Sequence, residues 1–343
     1  MNPPRAITQS DIAKQLGIGQ KTVSRVLNGD PQVSPKLREQ VESAAQAMGY
    51  RLNRSARSIK TRRFDTAMFL QVAARSHHRV MPGLLDGIAA GLAESGRSLM
   101  IERLVVADGS DVVTPTRGLD DAMADGIVAY ADTEPAPAVE AMIDAVGLPV
   151  VWINRRRDHD TVCPDDVGAV EAMVDRLAAA GHSRIAWFDR QLGYRPPEEL
   201  HYSRADRLEG FQAAMARRQL EPLLMVPSYD PGELGIIPWA EAQLRDLKCT
   251  AVACYHLGEA LDVLYAASRA GIRVPEDLSL IAVHHDSPFA GVRIDVAALP
   301  AEELGRRAAL MLAQRIAGAP PQAALNVPCS IIPGGTVRPP RAE

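Results

Sequence analysis

Six polar side chains with hydrogen-bonding or charged ends fall within residues 20–28. They are Gln20, Lys21, Thr22, Ser24, Arg25 and Asn28. Between them Val23, Val26 and Leu27 recur at helical spacing, so a helix here buries the apolar stripe and presents the polar set outward. Amides, hydroxyls, ammonium and guanidinium groups are the side-chain ends that bond to base edges and phosphates. This face therefore predicts contacts with DNA.

The residues just before this helix have the features of a shorter helix and a tight turn. Thr8 can cap a helix, with Asp11 three residues later as a weak capping box. Gly17 suits the left-handed position that ends a helix, and Gly19 can cap the next one. Residues 8–28 thus predict a helix-turn-helix. A plain helical hairpin has the same apolar pattern but does not require Gln-Lys-Thr on the first exposed turn of its second helix.

A third helix and a short basic segment follow. The Ser-Pro pair at 34–35 begins the helix, because proline is tolerated at a first helical position. Residues 51–63 are basic and poor in apolar side chains, which is typical of a solvated linker. The alternative is a segment that becomes helical on DNA, with Arg54 and Arg57 on phosphates and Ile59 as a wedge in the minor groove.

The charge of the chain is divided unevenly. The 343 residues carry 38 Lys/Arg and 42 Asp/Glu, a formal net charge of −4. Residues 1–63 alone have 12 basic and 4 acidic side chains, so a basic head precedes an acidic body. This asymmetry indicates a nucleic-acid-binding module joined to a domain with another task.

Several classes of protein find no support in the sequence. No apolar run is long enough for a signal peptide or a membrane span, so we expect a cytoplasmic protein with no membrane partner. The four cysteines form no CxxC pair and no zinc spacing, which favours buried reduced thiols and no metal site. We find no nucleophile elbow, dinucleotide-binding glycine motif or P-loop, so no catalytic residue and no cofactor is predicted.

From Thr66 onward, short apolar strands alternate with helices. Strands such as TAMFLQV, GIVAYA and PVVWINR are followed by a second set that includes RIAWFD, TAVACYH and LSLIAVHH. Such alternation predicts two doubly wound, mostly parallel sheets in an α/β body. Ligands bind at the carboxyl ends of such strands, so we expect a ligand in the cleft between the two halves.

Residues 8–60 resemble the DNA-binding head and hinge helix of the LacI/GalR family of transcriptional regulators. The matching stretches are DIAKQLGIGQKTVSRVLNGDPQVS, LREQVESAAQAMGY and NRSARSI. The resemblance implies that Gln20, Lys21 and Arg25 read bases in the major groove. It also implies phosphate contacts from Thr8, Thr22, Ser24, Asn28 and Asn53. The chain departs from the family at Ile59, where leucine is usual, and at Gly19, which replaces the usual serine cap.

The body resembles the effector domain of the same family, which is similar to a periplasmic sugar-binding protein. Matching stretches include PGLLDGI, LAAAGHSRIAWF and GIRVPEDLSLIAV. The resemblance implies that the second half interrupts the first, with crossings near 160, 290 and 323. The predicted organisation is a helix-turn-helix domain at 1–50, a hinge helix or linker at 51–63, an N-subdomain at 64–160 plus 291–323, and a C-subdomain at 161–290 plus 324–343.

The same resemblance implies an effector pocket between the subdomains. Its residues would be His77, His78, Val80, Met81, Asp166, Arg207, His256 and His285. Histidines at 256 and 285 replace the asparagine and aspartate usual in sugar-binding members, and a histidine can donate to an anion. Together with the C-terminal PGGT, His285 resembles the gluconate-type members, so a sugar acid such as gluconate or 2-ketogluconate is the favoured effector. The alternatives are buried structural histidines or, less favoured, a metal pair.

These observations favour a transcriptional regulator, most simply a repressor, whose affinity for operator DNA is controlled by a small molecule. One head contacts few bases, so we expect a homodimer on a pseudo-palindromic double-stranded site. The other classes considered are a solute-binding protein and an α/β enzyme with an accessory DNA-binding head. The basic head argues against the first, and the missing catalytic motifs argue against the second.

Overall fold

The computed structural model describes residues 7–27, 30–50, 63–74, 80–106, 116–121, 123–131, 137–285 and 293–341. The chain divides into two compact units, Met1–Phe64 and Asp65–Glu343. None of the described helices is long and apolar enough to cross a membrane.

The described part of the smaller unit includes the helices α1 (Gln9–Leu16), α2 (Gln20–Leu27) and α3 (Pro35–Ala47). The capping box at Thr8 and Asp11 forms, and Gly17 ends α1 in the left-handed region with φ 65°. Ser34 caps α3, with Pro35 in its first turn. The helices enclose a small aliphatic core that includes Ile12, Ala13, Val23, Val26 and Val41. The predicted helix-turn-helix and the third helix are confirmed.

The first subdomain of the larger unit is built on a parallel sheet. Its strands are β1 (Thr66–Ala74), β2 (Ser98–Val106), β3 (Gly126–Ala131), β4 (Val150–Ile153), β5 (Thr161–Pro164) and β11 (Leu325–Val327). Their order is β11-β5-β4-β3-β1-β2, and all five pairings are parallel. The described helices of this subdomain are α4 (Leu84–Glu94), α5 (Arg117–Asp120), α6 (Pro137–Ala145) and α11 (Ala301–Ile316).

The second subdomain repeats this architecture. Its strands are β6 (Ile185–Phe188), β7 (Leu223–Met225), β8 (Ala251–Cys254), β9 (Ser279–His284), β10 (Asp295–Ala298) and β12 (Ser330–Ile332). They lie in the order β12-β10-β9-β8-β6-β7, and β12 alone of these strands runs antiparallel to its neighbour. The described helices are α7 (Asp166–Ala179), α8 (Ser203–Arg217), α9 (Gly232–Leu247) and α10 (Leu257–Ala270). The predicted fold class, two doubly wound sheets after a helical head, is confirmed.

Helices α4 and α11 pack against each other on one face of the first sheet. Leu84, Ile88, Leu304 and Leu312 belong to one buried cluster with the strand residue Phe69. Glycines allow this close approach, since a Cβ atom at Gly87 would lie 1.9 Å from the carbonyl oxygen of Glu302. The late helix therefore belongs to the first subdomain, although residues 165–300 separate it from β5 in the chain.

The chain crosses between the sheets three times: after Pro164, after Ala298 and after Val327. The predicted crossings near 160, 290 and 323 each come a few residues too early. As a result β5 and β11 lie in the first sheet and β10 lies in the second, contrary to the predicted assignment of those residues. The sequence analysis predicted no strand at these three positions, so it placed the crossings without them.

Candidate functional site

The polar face predicted for contact with DNA lies on α2. Gln20, Lys21 and Arg25 are exposed, while Thr22 and Ser24 are half-buried. Val23 and Val26 are turned into the core, which fixes the rotation of the helix about its axis. The basic and amide side chains therefore project from one side of the unit, as a recognition helix requires.

Arg25 is held by the loop that follows α2. Its Nε atom donates to Asp30 Oδ2 at 2.7 Å, and its Nη2 atom donates to Gln32 Oε1 at 3.4 Å. The hydrogen bond from Arg25, helped by the backbone N–H of Gln32, lowers the pKa of Asp30. A carboxylate thus orients the guanidinium that the sequence assigns to base recognition. Arg38 of α3 secures the same loop by donating to the Asp30 carbonyl at 2.8 Å.

Other predicted DNA contacts are only partly described. Thr8 lies at the start of α1, where its hydroxyl donates to Asp11 Oδ2 at 2.7 Å and accepts from the Asp11 N–H at 3.3 Å. Its phosphate contact stays a prediction. Five further residues lie outside the described part of the chain, namely Asn28, Asn53, Arg54, Arg57 and Ile59.

In the larger unit, Arg207 and Asp166 form a buried ion pair beside the carboxyl end of β8. The Arg207 Nε atom donates to Asp166 Oδ1 at 2.7 Å, and Nη1 donates to the Tyr255 carbonyl at 2.8 Å. Both side chains are almost fully buried. Burial raises the pKa of Asp166, although Arg207 opposes that shift. The structure therefore brings together two of the residues predicted for the effector pocket.

Tyr255, which directly follows β8, is flanked by two guanidinium groups. The Arg204 Cζ atom lies 4.0 Å and the Arg207 Cζ atom 4.6 Å from the centroid of the Tyr255 ring. Arg204 also pairs with the buried Asp189. The Tyr255 hydroxyl lies 2.9 Å from Ser203 Oγ. The sequence interpretation missed this tyrosine, since its role depends on where α8 packs.

Three histidines meet at the carboxyl ends of β8 and β9. His284 Nδ1 lies 3.1 Å from His256 Nε2, and the rings of His284 and His285 lie 3.6 Å apart. Burial, together with neighbouring positive groups, lowers the pKa of His256 to about 3 and that of His284 to about 4. The described histidines, cysteines and carboxylates form no group of three able to hold a metal ion. His256 and His285 thus lie in one cluster with His284, which the pocket prediction did not include.

Of the four pocket residues predicted in the first subdomain, the structure describes two. Val80 and Met81 are half-buried and pack against the core cluster beneath α4. His77 and His78 lie outside the described residues. The contacts of Val80 and Met81 with an effector stay a prediction.

A cavity of about 240 Å³ lies beside the Arg207–Asp166 pair, where the two subdomains meet. Its lining includes Arg156, Arg157, Cys163, Asp166, Tyr202 and Asp206. Of these, only Asp166 was predicted as a pocket residue. The signal available in the sequence was the run Arg155-Arg156-Arg157, which was not predicted as part of the pocket.

His182 lies just after α7 and contacts three other segments of the second subdomain. Its Nδ1 atom lies 2.9 Å from Thr250 Oγ1, and its Nε2 atom lies 2.9 Å from Ser279 Oγ and 2.8 Å from the Arg338 carbonyl. His182 therefore joins segments distant in sequence, and it lies in the core rather than in the cleft.

Three family models match the chain. Residues 8–53 match "Bacterial regulatory proteins, lacI family". Residues 84–230 match "Periplasmic binding proteins and sugar binding domain of LacI family", and residues 174–337 match a periplasmic binding protein-like domain. Together these models include both α2 and the residues of the cleft.

Curated relatives match along nearly the whole chain. The HTH-type transcriptional regulator CelR of Thermobifida fusca is 29% identical, covering 93% of this chain and 94% of the relative. The HTH-type transcriptional regulator MalR of Streptomyces coelicolor is 28% identical, covering 91% and 90%. Each relative is thus similar to both units of this chain.

Solved structures show the same fold. The lac repressor dimer bound to operator and an anti-inducer has a TM-score of 0.72 at 19% identity, covering 97% of this chain and all of that one. The complex of the transcriptional regulator CelR with cellobiose has a TM-score of 0.62 at 24% identity, covering 96% and 99%.

Proposed function

The chain belongs to the lacI family of bacterial regulatory proteins and is a DNA-binding transcriptional regulator, and from this premise we propose that it is a homodimeric repressor released from a pseudo-palindromic operator by a carbohydrate effector. The observation that carries the proposal is the presence, in one chain, of a recognition-type helix and a separate two-subdomain cleft with a buried Arg207–Asp166 pair. The first can hold DNA, and the second can bind a small polar molecule.

The cleft offers hydrogen-bonding groups suited to a hydroxylated ligand. Asp166 Oδ2 is buried and has no hydrogen-bond partner among the described residues. A buried acceptor without a partner is costly, and a ligand hydroxyl would satisfy it. Arg207 lies alongside with its planar guanidinium, which also suits polar ligand oxygens. These groups support a carbohydrate over an apolar effector.

Within that class we propose a sugar acid such as gluconate or 2-ketogluconate. The support is the cluster of His256, His284 and His285, whose ring N–H groups can donate to a carboxylate. A neutral saccharide is the second candidate. It is favoured by the pairing of Arg204 and Arg207 with Asp189 and Asp166, and by the cellobiose bound in the CelR structure.

The two effector classes differ in their effect on protonation. The imidazoles of His256 and His284 are neutral near pH 7, because their pKa values are about 3 and 4. A carboxylate beside them would raise these pKa values, so a sugar acid should take up protons when it binds. Calorimetric titration in two buffers of different ionisation enthalpy measures this uptake. Gluconate should show uptake and cellobiose none, and binding of cellobiose alone would favour the neutral class.

The proposed mechanism couples the two units by linkage. An effector that binds one cleft geometry better than another shifts the population of conformations of the body, and the operator affinity of the paired heads changes with it.

DNase footprinting of the DNA upstream of the coding sequence tests the DNA side of this proposal. We expect two protected half-sites related by dyad symmetry. Absence of any protected region at moderate salt would contradict it.

A further inference from the structure

Several polar contacts join the loop after β4 in the first subdomain to the start of α8 in the second, and two of them carry the argument. His201 Nε2 lies 3.0 Å from the carbonyl oxygen of Asn154. Arg156 Nη2 pairs with Asp206 Oδ2. The loop after β4 and the start of α8 belong to different subdomains. These contacts therefore change whenever the subdomains move relative to each other.

The acceptor in the first contact is held rigidly. Asn154 takes a left-handed conformation with φ 62°, and its backbone N–H donates to the Val162 carbonyl at 3.0 Å. Its side-chain Nδ2 donates to the Ala131 carbonyl at 3.1 Å. Both partners are strand residues of the first sheet. The Asn154 carbonyl therefore moves with that sheet as a fixed point.

The hydrogen-bond direction at His201 follows from chemistry. A carbonyl oxygen can only accept, so the Nε2 atom of the His201 ring carries the hydrogen and donates to Asn154. His201 is half-buried, and the resulting desolvation lowers the pKa of its ring to about 4, which leaves Nδ1 as an acceptor. Nδ1 lies 2.8 Å from Ser203 Oγ, which lies 2.9 Å from the Tyr255 hydroxyl. A continuous chain of hydrogen bonds thus runs from Tyr255 to the first subdomain.

The two side chains of the Arg156–Asp206 ion pair differ in their exposure to solvent. The Arg156 side chain is 62% exposed, whereas that of Asp206 is 10% exposed. The Arg156 guanidinium also lies 5.4 Å from the centroid of the Tyr202 ring, and the Tyr202 hydroxyl donates to Asn154 Oδ1 at 3.4 Å. Loss of Arg156 would leave the carboxylate of Asp206 largely buried without this partner, which makes the pair costly to break.

We propose that Asn154, Arg156, His201 and Asp206 form a latch that holds the two subdomains in one relative orientation, and that Tyr255 and Ser203 connect the latch to Arg207. Arg207 donates to the Tyr255 carbonyl and packs on its ring, so a ligand that moves Arg207 acts on the residue where the hydrogen-bond chain begins. The inference rests on the proposed function, since it assigns the regulation of the same cleft.

Operator affinity measured without any added effector tests the latch. Arg156→Gln and Asp206→Asn should each change the Kd for the footprinted DNA fragment by about threefold or more, in the same direction. The double variant should change it no further than the larger single change, because the two residues act as a unit. Anisotropy of the labelled fragment measures all three variants.

Arg218→Gln is the matched control. Arg218 Nη2 pairs with Asp175 Oδ1 at 2.6 Å, which joins α8 to α7 within the second subdomain. This variant removes an arginine ion pair on the same helix without affecting the subdomain boundary, so its Kd should equal that of wild type. The latch is refuted if Arg156→Gln and Asp206→Asn bind the operator as Arg218→Gln does.

Hydrogen exchange gives a readout that needs neither DNA nor effector. Peptides covering 152–163 and 200–209 lie in different subdomains, and both should exchange faster in Arg156→Gln and His201→Phe than in wild type or Arg218→Gln. Unchanged exchange in both peptides would overturn the latch even if DNA binding were normal. Faster exchange with no DNA binding by wild type would keep the latch and contradict the proposed function.

Discussion

Arg25 combines a structural contact with a predicted role in base recognition. Its Nε and Nη2 atoms bond to Asp30 and Gln32, both in the loop after α2. A side chain already held in one orientation loses less conformational entropy on binding. The sequence indicated Arg25 through its helical position and the family resemblance, but it offered no signal for Asp30, because that contact depends on the path of a loop.

Gln20→Ala should weaken binding to the operator and relax the sequence preference at one base pair. Gln20 is exposed on the first turn of α2, and a bidentate amide contact to a base contributes roughly 1–3 kcal/mol of discrimination. Anisotropy titrations on operators substituted at each position measure the loss. Gln46→Ala, at an exposed glutamine of α3, is the control and should bind like wild type. Equal binding by Gln20→Ala and Gln46→Ala across all sequences would contradict base contact by Gln20.

The buried histidines predict loss of stability in mild acid. Burial lowers the pKa values of His201 and His284 from 6.5 to about 4 and that of His256 to about 3. As the pH falls from about 6.5 to 4, the unfolded chain binds protons that the folded chain does not. The free energy of unfolding therefore decreases on acidification, by at most about 1.4 kcal/mol per pH unit for each histidine.

Urea unfolding near pH 7 and pH 5 measures this dependence. His201→Gln removes one of the three imidazoles, so its loss of stability between the two pH values should be smaller than that of wild type. An equal loss in the two proteins would show that His201 does not contribute to the pH dependence.

The candidate pocket was predictable only where the family resemblance carried the signal. Arg207 and Asp166 were both predicted, and the structure pairs them at 2.7 Å. Arg156, Tyr202 and Asp206 were not predicted as pocket residues, because their proximity arises only when two separate sheets meet. Such contacts have no local periodicity or spacing from which to infer them.

At the scale of elements, the strands beside the crossings between subdomains were the ones that the sequence did not show. Long amphipathic helices such as α8 and α11 and the apolar strands β1 and β3 were predicted where the structure has them. The strands β5, β10, β11 and β12 were not, since β5 pairs with β11 and β10 pairs with β12 across chain segments that belong to the other subdomain. Those four strands also set where the chain crosses between subdomains, so the boundaries were misplaced with them.

The packing of α4 on α11 predicts a contrast between two glycines. A Cβ atom at Gly87 would lie 1.9 Å from the Glu302 carbonyl oxygen, so Gly87→Ala must separate the helices. We expect the free energy of unfolding to fall by roughly 1–3 kcal/mol or more, as for other overpacked cores. Urea denaturation measures the change.

Gly258→Ala is the matched control for this packing. Gly258 lies in the first turn of α10, and nothing lies within 4 Å of a Cβ atom placed there. Alanine favours a helix over glycine, so this variant should be as stable as wild type or slightly more so. Similar destabilisation by the two substitutions would show that helix–helix contact is not what requires Gly87.

At the scale of the whole molecule, the division of charge follows the division into units. The basic residues 1–63 belong to the helical head, and the acidic remainder forms the two-subdomain body. A basic head is attracted to the phosphate backbone, whereas an acidic body is not. This division was readable from the sequence, because it depends on composition rather than on contacts.

Release from DNA by a sugar acid tests the central claim most directly. A labelled fragment of the upstream DNA would be saturated with protein and then titrated with gluconate, 2-ketogluconate, glucose and cellobiose, with anisotropy as the readout. We predict that a sugar acid raises the Kd for DNA by about fivefold or more, the lower end of typical allosteric coupling, and that glucose leaves it unchanged. Tight, sequence-specific binding that responds to none of the four would contradict control of the operator by a carbohydrate effector.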